Sequence, residues 1–152
     1  MSVNSKNAGA ALLWIFTASG FAGLIYESIW AQYLGLILGH SAYAQVLVLA
    51  LFMGGMALGA WLVSRRSELL AKPLVAYALV EFLLGIMGVG FHAYYQLISG
   101  WSYNLLFPAL AAGMTLELAR WLVAALLILP QCVLLGMTFP LMSAGYIRLQ
   151  PG

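Results

Sequence analysis

Charge is what this sequence has least of. Of its 152 residues, 7% are Asp, Glu, Lys or Arg and 64% are hydrophobic, whereas soluble domains carry roughly a quarter charged residues. That balance argues against a water-soluble fold, and without a basic stripe nucleic acid is not expected as a partner. Cysteine is nearly absent too. The single Cys132 allows no internal disulfide and no multi-cysteine metal site, and reads as a small buried apolar residue. His40 and His92 lack metal-ligand spacing within one helix. A phosphate-cradling loop, a nucleophile elbow and an HExxH motif are all missing. The residues therefore specify no reaction, and no metal or cofactor is expected.

What is present is long apolar runs. Residues 43–63 carry no charge and only Gln45 as a strongly polar residue, which at about 1.5 Å rise per residue suffices to cross a hydrocarbon core of roughly 30 Å. Ala50, Gly54, Gly55 and Gly59 leave one side of this run nearly bare backbone, open to close approach by another helix. The run ends abruptly at Ser64, Arg65 and Arg66. Further helices are expected over about 8–34, 73–98 and 116–147. The first is too long for a typical signal-peptide core and is read as retained, and Pro73 suits the first turn of the third. Residues 99–114 (SGWSYNLLFPALAAGM) are aromatic-rich, contain Pro108 and are flanked by Gly100 and Gly113. They read as an interfacial or re-entrant segment on the outer face. Pro130 and Pro140 each remove a backbone donor, so the fourth helix is expected to be bent or broken.

The expected fold is thus all-α: a polytopic membrane protein with about four transmembrane helices in a single membrane domain over 1–152. Placing both termini in the cytoplasm gathers Lys6, Arg65, Arg66, Lys72 and Arg148 on one side. Only Arg120 then lies outside, which satisfies the positive-inside rule.

Ionisable groups at membrane depth are costly unless paired or wetted, so each is a candidate for function. Counting rises along the helices puts Glu27 at a depth similar to His40, Gln45, His92 and Arg120, and a single polar cluster is expected there. Its sharpest element is a contact between Glu27 and Arg120. A structural ion pair, a substrate or proton role for Glu27, and an Arg120 that merely snorkels outward all remain open. Glu81 lies nearer the cytoplasmic side, with Gln131 at a comparable level. Buried, it would be neutral and bonded to an amide; in a wet cavity it would bind a cation. Gly35, Gly39, Gly54, Gly55 and Gly59 are read as helix-packing positions.

Residues 19–66, SGFAGLIYESIWAQYLGLILGHSAYAQVLVLALFMGGMALGAWLVSRR, closely resemble the membrane-embedded portion of bacterial spermidine-synthase-like membrane proteins, with Gly23-Leu24-Ile25-Tyr26-Glu27 and Trp30 the most specific part. Residues 135–142, LGMTFPLM, resemble the end of the same portion. Gly59 with Arg65 and Arg66 is similar to a loop of major facilitator transporters, but lacks the acidic residue of that loop. The family resemblance implies a bacterial inner-membrane location. Its members commonly continue into a soluble aminopropyltransferase-like domain. No such domain is found here, so catalysis by this chain is not expected. Besides a split enzyme whose catalytic domain would come from a separate chain, two functions follow as expectations. One is a transport-like domain that assembles with itself or another chain to bind or pass a small solute, for which the glutamates favour positive charge, with Glu27, Glu81, Arg120, Gln45, Gln131 and His92 as substrate-binding candidates. The other is a non-catalytic anchor or accessory subunit of a larger complex. In either case the partners expected are the lipid bilayer and a homo-oligomer or larger membrane complex.

Overall fold

The computed structural model describes residues 2–39, 41–65, 72–110 and 113–149. His40, Arg66 and the side chain of Lys6, all invoked above, lie outside the described residues. Four α-helices make up nearly all of the rest: α1 (Ser2–Leu38), α2 (Ser41–Ser64), α3 (Pro73–Trp101) and α4 (Met114–Leu149). Each is long and apolar enough to cross a membrane. Large hydrophobic side chains such as Trp14, Phe21, Met53, Val89 and Leu122 are exposed around the outside of the bundle. In water that surface would be untenable; against lipid chains it is ordinary, and the protein is built as an integral membrane protein.

The helix ends follow local chemistry. Gly39 takes φ +75, a left-handed value natural to glycine, and its N–H donates to the Gly35 carbonyl at 3.0 Å, closing α1. Pro73 opens α3 with Lys72 as its cap residue. At the end of α2 the Arg65 guanidinium lies over the Trp61 ring, 4.4 Å from its centroid. Such a contact holds the charge beside the helix terminus that favours it.

Register can be read from the contacts. Ser19 meets Glu81, Tyr26 abuts Gly88 and Tyr33 meets His92, so α1 and α3 run parallel. Gly55 faces Cys132, and Gly59 faces Val133, so α2 and α4 are parallel as well. Between these pairs the direction reverses, as Gly23 against Leu135 and Leu74 against Gly145 show. The result is an up-and-down bundle. The start of α1, the end of α2, the start of α3 and the end of α4 share one end. Helix α4 is the most buried of the four and α1 the least.

The α2–α4 seam is the tightest contact. A Cβ at Gly59 would overlap the Val133 carbonyl, and one at Gly136 would overlap the Met56 backbone. With no hydrophobic force between helices in lipid, such close approach supplies the association through dispersion contacts. Of the glycines singled out in the sequence, Gly55 and Gly59 lie in this seam, Gly39 ends α1, and Gly35 and Gly54 have open space beside them.

One element differs from the sequence reading and a second narrows it. Residues 99–101 stay in α3, and Ser102–Leu106 adds one π-helical turn, so the first half of the expected interfacial segment continues the third helix. Ser99 and Ser102 bond back to the carbonyls of Gln96 and Ile98 at 3.3 and 2.7 Å, and Pro108 falls beyond the last turn. Helix α4 is also unbroken through Pro130 and Pro140. Pro130 deprives the Leu126 carbonyl of its intrahelical donor, and the Tyr94 hydroxyl donates to that carbonyl from α3 at 3.5 Å. Neighbouring helices commonly satisfy such freed groups in membranes.

Candidate functional site

The candidate site lies on the outer side of the α1–α2 pair. Glu27, Ser28 and Gln32 from α1 and Gln45 from α2 line a groove of about 430 Å³, with Leu24, Ala31 and Val48 as its apolar walls. Residues 24, 28 and 31 recur at helical spacing, which turns one stripe of α1 toward α2. Glu27 is half-buried, and no hydrogen bond or ion pair to it is formed among the described residues. A carboxylate at membrane depth in that state calls for water, a proton or a cation.

Arg120 does not supply the missing charge. It pairs with Glu117 at 3.4 Å, one turn earlier on α4, and its guanidinium carbon sits 5.8 Å from the Phe107 ring centroid. The expected Glu27–Arg120 contact is therefore absent, because similar depth does not put two residues on facing sides of their helices. His92 is engaged elsewhere too. Its Nδ1 lies 2.9 Å from the Tyr33 hydroxyl and its Nε2 2.9 Å from the Gln96 amide nitrogen. With that amide donating to Nε2, the neutral ring carries its proton on Nδ1 and donates it to Tyr33. The single cluster expected from depth thus separates, with Glu27 and Gln45 sharing a groove and Arg120 and His92 standing in two other places.

Glu81 occupies a second polar site, between α1 and α3. The Ser19 hydroxyl donates to its Oε1 at 2.6 Å. One turn before Glu81, the Tyr77 hydroxyl is buried near the same carboxylate without completing a hydrogen bond. The expected amide partner Gln131 is absent from this site. Gln131 is buried in α4 and donates to the Leu127 carbonyl at 3.1 Å. Ser19 was not singled out from the sequence, where one hydroxyl in an apolar run carries little signal.

Below the polar groove the surface turns apolar. A second groove of about 650 Å³ runs between α1, α2 and α4, lined largely by carbon from residues such as Phe16, Phe52, Met56, Leu135 and Phe139. Leu24 borders both grooves, so they adjoin. Among the described residues no group of three or more His, Cys, Asp or Glu side chains could hold a metal ion. Cys132 is buried against the α2 seam. Comparison with family models, with curated proteins and with solved structures gives no match.

Proposed function

We propose that this chain is a transport-like membrane domain which assembles with itself or with another chain and binds or passes a small cationic solute. The observation that carries the reading is Glu27, a half-buried carboxylate without a basic partner among the described residues, in a groove that also offers Ser28, Gln32 and Gln45. Hydroxyl and amide oxygens beside a carboxylate suit a cation that must shed part of its hydration. Glu81 supports it as a second carboxylate at membrane depth, held by a neutral hydroxyl. The resemblance of residues 19–66 to spermidine-synthase-like membrane proteins agrees with a membrane role, and the reading assigns this chain no catalysis and no cofactor.

In this reading both termini and the α2–α3 connection face the cytoplasm of a bacterial inner membrane. Arg65, Lys72 and Arg148 belong to that end of the bundle, which accords with the positive-inside rule. The alternative is a non-catalytic anchor or accessory subunit. It is favoured by the Ser19–Glu81 and Glu117–Arg120 contacts, which serve equally well as fasteners within and between helices. Uptake of small amines and quaternary ammonium ions into proteoliposomes, with native mass spectrometry of the same preparations, separates the two. Glu27→Gln is expected to abolish uptake with assembly intact. Unchanged uptake, or loss of assembly alone, favours the anchor.

A further inference from the structure

The adjoining grooves along α1 have opposite chemistry. One holds a carboxylate without a hydrogen-bond or ion-pair partner among the described residues, beside hydroxyl and amide groups; the other is almost purely apolar and opens where lipid chains would lie. Leu24 stands at the join. A small hydrophilic cation would use only the first. We infer that the two grooves form one site for a cationic amphiphile, a molecule with an ammonium head at Glu27 and a single alkyl chain laid along the apolar groove toward Phe139. This rests on the reading of Glu27 as a cation site and specifies its ligand class.

Charge and shape both enter the assignment. Lipid chains are as apolar as the groove walls, so a tail gains little merely by leaving the bilayer. Selection among membrane amphiphiles must come from the head, and the charge of Glu27 favours a cation over an anionic or neutral head. The two volumes, about 650 and 430 Å³, together slightly exceed the roughly 300–1,000 Å³ typical of ligand sites, which leaves room for a head and a chain. Gly20 lines the apolar groove with no atom within 4 Å of its Cβ position, so it is the place to add a side chain that narrows the tail's path.

The test uses the full chain in phosphatidylcholine nanodiscs. A dodecyltrimethylammonium carrying a diazirine near the tail end is photolysed, and the adducts are mapped by mass spectrometry. Labelling is expected at Met56, Leu135 and Phe139, competed by unlabelled dodecyltrimethylammonium and not by dodecyl sulfate. It should fall about tenfold in Glu27→Gln, the loss of one modest charge contact, and severalfold in Gly20→Leu. Protection of Glu27 from a hydrophobic carbodiimide by tetramethylammonium is measured in parallel. Protection with adducts spread evenly over the lipid-facing surface would overturn the amphiphile site and leave the cation reading standing. Absence of both would overturn the two together. Adducts joining these residues to a second copy would make the groove a subunit interface and also overturn the site.

Discussion

Ser19 and Glu81 are 62 positions apart in the chain, yet the serine hydroxyl donates to the glutamate Oε1 at 2.6 Å across the α1–α3 interface. Parallel helices α1 and α3 otherwise meet through aromatic side chains. Tyr33 packs edge-on against Phe91 and Tyr95, with ring centroids 5.4 and 4.7 Å apart. With the Tyr33–His92 hydrogen bond at 2.9 Å, the hydroxyl–carboxylate contact is thus one of two polar fastenings of this interface among the described residues. Ser19→Ala is expected to lower stability by about 0.5–1.5 kcal/mol, the net worth of a hydrogen bond to a half-buried acceptor. Denaturant unfolding in micelles, run as a double-mutant cycle with Glu81→Leu, which leaves no acceptor, reads the coupling. A coupling energy of zero would show that the contact fastens nothing.

Glycines in this fold divide into those in contact and those facing open space. Gly59→Ala and Gly136→Ala would drive a Cβ into facing main chain and are expected to destabilise by about 1–3 kcal/mol, as overpacking does. Gly54→Ala and Gly85→Ala meet nothing, and better helix propensity should stabilise them by roughly 0.5–1 kcal/mol. Thermal unfolding of the four variants in one detergent tests the opposite signs.

Tyr94 and Pro130 should be energetically coupled. Tyr94→Phe removes the donor to Leu126, a loss of about 0.6 kcal/mol by the average of such contacts in membranes. With Pro130→Ala in place the helix supplies its own N–H to that carbonyl, and Tyr94→Phe should then cost almost nothing. An equal cost in both backgrounds would mean that the hydroxyl plays no part in accommodating the proline.

Arg120 is expected to add little to stability through its ion pair. Its partner Glu117 has a side chain 57% exposed, so Glu117→Gln should change stability by about 0–1 kcal/mol. Because Arg120 faces Phe107 and not the α1–α2 groove, Arg120→Gln should leave protection of Glu27 by tetramethylammonium unchanged. A change in that protection would link Arg120 to the groove after all.

Much of the architecture was legible in the residues themselves. Apolar length set the number of helices, and the boundaries of α2 and the start of α3 lie within a few residues of expectation. These are local properties, set by hydropathy along the chain and by turn residues such as Gly39 and Pro73. The segment after residue 98 continues α3 where an interfacial element was expected, and of the two outcomes expected at the prolines of α4, a bend or a break, the break does not occur. Rules for breaking a helix assume that freed carbonyls stay unsatisfied, while here Tyr94 reaches the Leu126 carbonyl that Pro130 frees.

The site was legible only in part, because counting residues along a helix yields depth and not direction. Depth placed Glu27 near Gln45, and they share a groove; it also placed Glu27 near Arg120, which turns toward Glu117 instead. Ser19 and Gly136 gained their meaning only from the residues opposite them, Glu81 and Met56. Sequence alone determined that this is a bundle of membrane-spanning helices with a few ionisable groups inside, because hydropathy and length are properties of each segment by itself. The tertiary structure decided which of those groups meet and which stay unpaired. Each residue turns about 100° around its helix, and the rotation of one helix against another is set by packing of side chains far apart in the chain.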